Sequence, residues 1–560
     1  MKRVLLLFVI AILSLLPATA QLQGDGSLSN PYRGFLAGDF TMSGTKYFDG
    51  NIYVDNETLT VAAGTKLIAL QFRAAIFVSG TGQINASGTT TSPILFTSDT
   101  DLDGITGEPE DSWGNITITS SAASQISYCT FERGRRDNFK FGLLGGGLRL
   151  ASSAVTVSYC TFRNCMASKG GAIAVLSGAA PSISECTFIN NNALEHGGAF
   201  YIEAGSAPVI TNCLFNGNSS ASATLSGGTV ASLSSSPKIV NSTIVYSASP
   251  VSDGTSVYLE NSAGAIIVNT AVWGGANHIG LNGTPASVMA FNAIEGASFS
   301  GNITLNSSNT ATDGPNFVNP AAGNFGITYV SPLRDSGTDS YPGVNIPSRD
   351  ITNVARVYIT DIGAYEMLYS LWTGTNGTSW SDPSNWAGKR VPGSTNVIIP
   401  AGLANYPTSA PGPTFTLNSG LEMIMEPGSR VTFSSLTNNG TINLQSDPSG
   451  IASLMTGSFS GAGGSLNVMM HLTGATDEID RWHYIATPAT VSKTVFTDIE
   501  PENLMSYDES KVTTDVIQGW QWHDGYDGTT PFSTLEPKTG YNALVFSDTT
   551  IVFGNLTSLT

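Results

Sequence analysis

A six-residue phrase recurs through the middle of the chain and decides its fold. It reads ISYCTF at 126–131, VSYCTF at 157–162, ISECTF at 183–188 and ITNCLF at 210–215, and weaker forms follow as IVNSTI at 239–244 and IVNTAV at 267–272. The equivalent positions are Cys129, Cys160, Cys186, Cys213, Ser242 and Thr270, so the steps are 31, 26, 27, 29 and 28 residues. Self-similarity at such a period predicts a stacked repeat architecture.

Each repeat contains two short runs that favour β-structure. A second phrase runs out of phase with the first, as GGGLRL at 145–150, GGAIAV at 170–175, GGAFYI at 197–202 and GGTVAS at 227–232. Short β-branched and aromatic runs bounded by Gly, Asn and Ser predict strands, and no repeat contains a helix-length apolar stripe. A unit of about 27 residues with strands of about five residues matches one rung of a three-sided parallel stack.

Stacked rungs place equivalent residues above one another, and three inward ladders are predicted, with a corner between the aliphatic and cysteine positions. They comprise Ile126, Val157, Ile183, Ile210 and Ile239; Cys129, Cys160, Cys186 and Cys213; and Phe131, Phe162, Phe188 and Phe215. The glycine pairs suit positive φ or a close approach between rungs. The asparagines after the Phe ladder suit left-handed turns, and they are Asn164, Asn190, Asn191, Asn216 and Asn218.

These motifs resemble the right-handed parallel β-helix family, also called pectate-lyase-like. The GGAI and GGAF phrases, with FINN at 188–191 and FNGN at 215–218, look like repeats of polymorphic outer-membrane adhesins. SPLRDSGTDS at 331–340 and DIGAYE at 361–366 look like the closing signature of choice-of-anchor β-helix proteins. The resemblance implies a β-helix over residues 51–366. We interpret Asp361 and Glu366 as residues that cap the open end of the stack, not as catalysts.

Composition and the N-terminus indicate an exported protein. The 560 residues carry a net charge of −18, and only 12% are charged, which argues against nucleic acid and anionic membranes as partners. Lys2-Arg3, an apolar run and Ala18-Thr19-Ala20 predict a signal peptide over residues 1–20. No other stretch is long and apolar enough for a transmembrane helix. We therefore expect a secreted or cell-surface location, while the oligomeric state is left open.

Cysteines in an exported chain also allow disulfides. Neighbouring rungs could bring two of the ladder cysteines together, although strand-to-strand bridges are often strained. We interpret the four ladder cysteines as small buried apolar residues. Cys165 lies off the ladder, and the sequence does not set its redox state.

The remaining segments are assigned from changes in composition. Residues 21–50 are Gly-rich and are interpreted as a lead-in or cap. Residues 367–450 are expected to form a small β-sandwich-like module in which Trp372, Trp380 and Trp386 fill the core, with a sugar-binding platform as the alternative. Residues 451–560 are expected to form a second β module that is truncated. Both modules resemble those of type IX secretion cargo. The predicted fold class is all-β, with a β-helix solenoid followed by smaller modules.

The sharpest chemical motif is an acidic loop. Its residues match the D-x-[DN]-x-[DN]-G-x5-E calcium loop letter for letter, although strands flank it here. Three carboxylates at alternate positions converge as the chain curls at Gly104, and a backbone carbonyl and a bidentate Glu complete the set. The predicted structural calcium ligands are Asp99, Asp101, Asp103, Ile105 and Glu110. The alternative is a solvated acidic insertion.

A dense basic cluster follows the Cys/Phe strand of the next rung. Its cations are Arg133, Arg135, Arg136 and Lys140. Both insertions are expected at one corner, one rung apart. The cluster is interpreted as an ion-pair contact between loops or, alternatively, as a site for an anionic polysaccharide.

The sequence favours a non-enzymatic role. The four cations are the candidate residues of a polysaccharide lyase, but the inward Asp cluster of those enzymes is not evident. A hydrolase needs paired carboxylates, whereas Glu185, Glu195, His196 and Glu203 are singly placed, and His196 is interpreted as a turn residue. We therefore expect an adhesin-like or glycan-binding protein whose partner is an extracellular glycan or another cell-surface component. A lyase or hydrolase and a structural spacer are the alternatives.

Overall fold

The computed structural model divides the chain into two compact units, residues 1–367 and 368–560. It describes residues 21–108, 111–136, 144–222, 227–250, 254–275, 278–283, 288–296, 303–305, 314–328, 330–356, 359–367, 369–387, 391–393, 395–408, 414–461, 463–474, 482–496, 504–507, 520–522, 533–537 and 539–556. The predicted signal peptide therefore lies outside the described residues.

The first unit is a stack of rungs with three parallel sheets. Sheet 1 comprises Phe40–Met42, Thr58–Val61, Gln83–Ser87, Ser124–Ser127, Val155–Ser158, Ser182–Ser184, Val209–Thr211, Lys238–Val240, Ile266–Val268 and Val288–Ala290. Sheet 2 comprises Lys66–Ala69, Ile94–Ser98, Cys129–Glu132, Thr161–Arg163, Thr187–Ile189, Leu214–Asn216, Thr243–Val245, Ala271–Trp273, Ala293–Glu295 and Ile303–Leu305. Sheet 3 comprises Tyr32–Phe35, Ile76–Val78, Ile116–Ile118, Leu148–Leu150, Ile173–Val175, Phe200–Glu203, Val230–Leu233, Val257–Glu260 and Ile279–Asn282.

Two further features complete the stack. The long strand Thr45–Val54 belongs to two sheets, since its first half pairs with Lys66–Ala69 in sheet 2 and its end pairs with Ile76–Val78 in sheet 3. A short fourth sheet lies between sheets 2 and 3 in chain order, and it comprises Arg135–Arg136, Met166–Lys169, Asn192–His196 and Ser219–Ser220. The stack thus begins before residue 51. The assignment of 21–50 to an irregular lead-in was wrong, because its high glycine content hides strands that pair with the first rungs.

The predicted ladders are confirmed in register. Ile126 pairs with Val157, which pairs in turn with Ile183. In sheet 2, Phe131 and Phe162 are paired and their rings stack 4.6 Å apart. All of these residues are buried, because strands at equivalent positions direct the same residue inward on every rung.

A column of left-handed residues forms the corner between sheets 1 and 2. Each lies directly before the cysteine position or its equivalent, and φ runs from 46° to 55°; the column comprises Tyr128, Tyr159, Glu185, Asn212, Asn241, Asn269 and Phe291. The predicted corner is therefore present. The glycine pairs do both things expected of them: Gly170 has a φ of 67°, and a Cβ on Gly171 would collide with the carbonyl oxygens of Gly198 and Asn192.

The cysteines and asparagines line the inside of the stack. All five cysteines are buried and free, which confirms the apolar interpretation of the ladder. Cys165 lies on a different inward ladder, where its backbone N–H donates to Asn191 Oδ1 at 3.0 Å. Asn191 Nδ2 donates in turn to Asn218 Oδ1 at 2.9 Å. Asn164 and Asn190 have positive φ as expected, whereas Asn191 and Asn218 satisfy buried backbone groups instead of forming turns.

The segment over residues 314–367 folds back along the side of the stack. It contains the antiparallel pair Phe317–Asn319 and Asn324–Ile327 and a 3-10 turn at Pro320–Ala322. Its apolar residues pack on the outer face of sheet 2 around Leu214 and Trp273. The side-chain amide of Asn269 forms two hydrogen bonds with the backbone of Thr338, which attach this segment to the β-helix. Asp361 and Glu366 therefore do not cap an end of the stack, and that interpretation is corrected: they brace a segment that covers its flank.

The second unit repeats the parallel architecture on a smaller scale. One sheet pairs in parallel through Tyr369–Leu371, Asn396–Ile399, Glu422–Met425, Thr441–Leu444 and Ser465–Leu472, and Thr549–Leu556 then joins it antiparallel. Two further parallel groups are Phe415–Leu417, Leu436–Asn438 and Phe459–Ser460, and Arg430–Phe433 with Ser453–Thr456. The all-β prediction with smaller modules after the β-helix is confirmed, but the pairing here is that of stacked rungs, not of a sandwich.

The rest of this unit is antiparallel. One sheet comprises Trp482–Ile485, Tyr541–Leu544, Leu504–Tyr507 and Trp520–Trp522. Short pairs are Ser446–Asp447 with Gly450–Ile451 and Val491–Ser492 with Thr534–Leu535, and 3-10 turns lie at Pro383–Asn385 and Lys493–Val495. One hydrophobic core extends from Trp372 to Leu556, so it crosses residue 450, where the sequence suggested a boundary. Trp372, Trp380 and Trp386 are buried in that core, as predicted, and offer no sugar platform.

Candidate functional site

The acidic loop and the basic cluster meet at one corner of the first unit. The loop follows Ile94–Ser98, the cluster follows Cys129–Glu132, and these two strands are neighbours in sheet 2. Arg133 Nε donates to the carbonyl oxygen of Gly107 at 3.2 Å. Trp113, which follows the loop, donates from its indole N–H to the carbonyl oxygen of Glu132 at 2.8 Å. The structure thus brings the two insertions together, one rung apart, as the sequence predicts.

Within the acidic loop, three of the five predicted ligands converge. Asp99, Asp101 and Asp103 each offer a carboxylate oxygen within 4.8 Å of the others. Burial is the largest cause that raises the pKa of Asp99, and Asp111, Asp103 and Asp101 raise it further. The backbone N–H of Ile105 donates to Asp103 Oδ1 at 2.7 Å, which holds the loop in its curl. Glu110 lies outside the described residues.

The basic residues separate into two groups. Arg133 bonds to the acidic loop through a backbone carbonyl, while the neighbouring Glu132 pairs with Arg163 at 3.1 Å. Arg135 and Arg136 form a strand of the short fourth sheet. Lys140 lies outside the described residues. Among the described residues, the contact between the two loops is a hydrogen bond from Arg133 to a backbone carbonyl. Arg136 contacts a different surface.

Arg136 reaches the outward face of sheet 3. Its Nε and Nη2 donate to Asn115 Oδ1 at 3.4 and 3.3 Å, and its guanidinium carbon lies 5.7 Å from the centre of the Phe77 ring. Asn115 is itself anchored, since its Nδ2 donates to the carbonyl oxygen of Gly145 at 2.6 Å. The guanidinium is therefore held over an aromatic ring by a buried amide.

Phe77 belongs to an aromatic stack that sequence reasoning missed. Phe35 and Tyr53 stack with ring centres 4.4 Å apart and planes at 16°, and Tyr53 and Phe77 stack at 5.3 Å and 15°. All three are half-buried. The signal was the middle residue of short apolar strands, as in IYV at 52–54, IFV at 76–78 and LRL at 148–150. Because neighbours on a strand point to opposite faces, the middle residue faces outward.

Arg149 lies on the same sheet, since it pairs with Thr117 and Thr117 pairs with Phe77, and the charges of Arg73 and Arg149 act on Arg136. We name this surface the aromatic–arginine face: Phe35, Tyr53, Phe77, Arg73, Arg136 and Arg149. Burial is the main cause that lowers the pKa of Arg136, and the charges of Arg73 and Arg149 lower it further. Among the described residues, no carboxylate forms an ion pair with any of the three arginines. A chain with a net charge of −18 thus places positive charge beside a row of half-buried rings.

The models of two protein families match this part of the chain. One is described as a right handed beta helix region and matches residues 105–244, and the other is a pectate-lyase like beta helix domain that matches residues 36–134. The first unit is a right-handed parallel β-helix. Both matches include residues of the corner formed by the two insertions.

Comparison with solved structures and curated proteins adds little to the β-helix assignment. A mutant tailspike protein of E. coli bacteriophage HK620 is 10% identical, with 93% of this chain and 86% of that chain covered and a TM-score of 0.23. Another mutant of that tailspike, in complex with a pentasaccharide, is 10% identical, with 93% and 84% covered and a TM-score of 0.20. TM-scores this low carry no argument about this chain. No curated protein matches it.

The β-helix brings some of the remaining candidate residues together. Glu195 pairs with Lys169 at 3.4 Å, and Tyr201 donates its hydroxyl to Glu203 at 2.6 Å. His196 is not a turn residue, since it ends a strand, is buried, and stacks on Tyr201 at 6.1 Å. Burial and the bond to Glu203 raise the pKa of Tyr201 well above its usual range. This opposes a role for Tyr201 as a base.

Glu185 lies apart, in the left-handed corner of the β-helix. It accepts a hydrogen bond from Asn212 Nδ2 at 3.4 Å. It borders a cleft of about 320 Å³ that Tyr128 and Tyr159 also line, and these two rings stack 4.7 Å apart. No second carboxylate lines this cleft among the described residues, so it lacks the pair that a hydrolase needs.

Within the part of the chain that is described, no helix has the length and apolarity required to cross a membrane.

Proposed function

We propose that this protein is an extracellular, non-enzymatic glycan-binding protein that holds an acidic glycan along the aromatic–arginine face. The observation that carries the proposal is the Phe35–Tyr53–Phe77 stack, which leads directly to Arg136 on Phe77. The stacked rings cover one another's faces, so they present a continuous row of half-buried ring edges. Such a row is a rigid apolar strip along which the apolar side of a sugar chain can lie. Guanidinium groups match carboxylates and sulfates with two parallel hydrogen bonds.

The geometry favours an extended ligand. Parallel rungs repeat about every 4.8 Å along the stack, so the face presents a row of rings that ends at the guanidinium of Arg136 on Phe77. A chain of sugars that lies along the row would contact several rungs at once. Arg73, Arg136 and Arg149 have no carboxylate partner among the described residues, so an acidic glycan would supply the anions that they lack.

Support for an extracellular role comes from composition. The N-terminal stretch fits a signal peptide, and charged residues make up only 12% of the chain. The adhesin-like role at the cell surface and the type IX export route rest on the resemblances described above and remain part of this proposal. The lyase and hydrolase alternatives gain no support from the carboxylates near Tyr201 and Glu185.

The test is binding of the full chain to acidic and neutral polysaccharides of equal length, with polygalacturonate as the acidic probe and calorimetry as the readout. We expect Arg136→Gln to weaken binding about 10–100-fold, the usual effect of losing a hydrogen bond to a charged group. Phe77→Ala should weaken it as well. Added salt should weaken binding to the wild type more than to Arg136→Gln.

Arg430 offers a matched control, because its guanidinium also lies over an aromatic ring, 5.4 Å from the centre of Tyr406 in the second unit. Arg430→Gln removes the same charge and should leave binding unchanged. Equal losses in both variants would show that net charge alone drives binding and would refute the proposed face. Absence of binding to any acidic polysaccharide tested would refute it as well.

A further inference from the structure

Two buried carboxylates at the acidic loop differ in their hydrogen bonding. Asp111 is saturated: its Oδ1 accepts from the backbone N–H and the hydroxyl of Thr100 at 2.6 and 3.1 Å, and its Oδ2 accepts from the N–H groups of Gly107 and Glu108 at 3.0 and 3.3 Å. Asp99 is equally inaccessible, with 5% exposure, but its Oδ1 is buried and has no hydrogen-bond partner. Leaving a buried carboxylate oxygen without a hydrogen-bond partner is unfavourable.

The carboxylate of Asp99 belongs to a convergent group. Asp101 and Asp103 direct carboxylate oxygens to the same place, within 4.8 Å of one another and of Asp99. Like charges at this separation repel one another. The loop nevertheless holds the three carboxylates together, because Asp111 accepts hydrogen bonds from Thr100 and Gly107, near the two ends of the loop. Asp111 therefore positions the loop, and the other three carboxylates are left facing one another.

We propose that Asp99, Asp101 and Asp103 bind one calcium ion. Calcium takes several oxygen ligands, and carboxylates are its common protein ligands. A divalent cation would satisfy the buried oxygen of Asp99 and cancel the repulsion among the three groups. Leu102 and Gly104 have φ values of 65° and 88°, and this curl turns alternate side chains to one side. Ile105 and Glu110 are not part of the proposed set.

Binding at this loop would stabilise the corner as a whole. The carbonyl oxygen of Gly107 accepts a hydrogen bond from Arg133. The backbone N–H of Gly107 donates to the carbonyl oxygen of Ser98 at 3.0 Å. The loop is thereby tied to the ends of two neighbouring strands of sheet 2. The ion is thus structural, and its binding does not depend on the glycan proposal.

The experiment uses the full chain, stripped with a chelator and titrated with calcium chloride in the absence of any glycan. Calorimetry should show one site with a Kd on the order of 10⁻⁴–10⁻³ M, the range of extracellular calcium modules. The first thermal transition should rise by about 2–5 °C at 10 mM calcium, since a ligand that binds only the folded state stabilises it. Asp101→Asn and Asp103→Asn should each weaken binding at least about tenfold.

Asp99→Asn gives the sharpest discrimination. Without calcium this variant should melt above the wild type, because a buried charge that repels Asp101 and Asp103 is removed. With calcium it should melt below the wild type. Asp447→Asn is the control, since Asp447 is an exposed carboxylate that only caps its own turn through Ser449, and it should keep the full calcium response. A wild type without heat of binding or thermal shift would overturn the proposal. So would an Asp99→Asn variant that is less stable than the wild type under both conditions.

Discussion

At the scale of single residues, His278 shows how the β-helix supplies hydrogen-bond partners to a buried polar side chain. His278 is fully buried, with its Nδ1 2.7 Å from Ser256 Oγ and its Nε2 3.2 Å from Glu295 Oε2. Burial is the main cause that lowers the pKa of His278, and Glu295 acts in the opposite direction. Burial therefore disfavours the charged form of the imidazole in the folded protein.

This burial predicts a pH dependence of stability. The pKa of an unfolded His is about 6.5, so below that pH the unfolded chain takes up a proton more readily than the folded one. The stability that this site contributes is therefore present above about pH 6.5 and is lost as the pH falls towards the pKa of His278 in the folded protein. The loss is about 1.4 kcal/mol for each pKa unit that separates the folded from the unfolded value. Urea denaturation between pH 7 and pH 5 should show a smaller loss in His278→Gln. An equal slope in both proteins would contradict this account.

At the scale of elements, the segment over 314–367 is held to the β-helix by one buried cation. The side chain of Arg356 is 3% exposed and pairs with Glu366 at 3.0 Å. Its Nη2 donates to Asn212 Oδ1 at 2.9 Å and to the carbonyl oxygen of Gly363 at 3.0 Å. Asn212 is one of the left-handed residues at the corner between sheets 1 and 2, so the same corner also binds the segment over 314–367.

Removing this cation should release the segment. We expect Arg356→Ala to lower the free energy of unfolding by about 3–5 kcal/mol, because it leaves the carboxylate of Glu366 buried without its partner. Hydrogen exchange should increase at residues 345–367 before the β-strands exchange. Arg349→Ala is the control, since Arg349 donates only to the exposed carbonyl of Asn353 through its side chain, and its cost should stay below about 1 kcal/mol. Equal costs would show that Arg356 does not anchor the segment.

At the scale of the whole molecule, each rung contacts chiefly its neighbours, so stability is distributed along the stack. The five free cysteines are buried within it, and burial raises the pKa of Cys165 to about 12. Because all five thiols are buried, a reagent in solution can reach them only when the β-helix opens, so their reactivity reports unfolding.

Thiol labelling should therefore follow global unfolding. The native protein should show no fast reaction with Ellman's reagent, and the chain in concentrated urea should show all five thiols. The exposed position Ser121 provides the positive control, since Ser121→Cys should react at once. Reductant should not change the melting temperature. A fast native reaction, or a melting temperature lowered by reductant, would contradict the burial of five free thiols.

The sequence by itself determined the period, the β-helix, the inward ladders and the meeting of the two insertions. Each of these depends on contacts between equivalent positions one rung apart, so a repeating pattern records them directly. The tertiary structure alone decided the docking of residues 314–367, the parallel pairing of the second unit and the aromatic–arginine face. Arg356 and Asn212 are 144 residues apart, and no periodic signal connects them. Phe77 and Arg136 belong to strands of different sheets, and only the folded chain sets the distance between them.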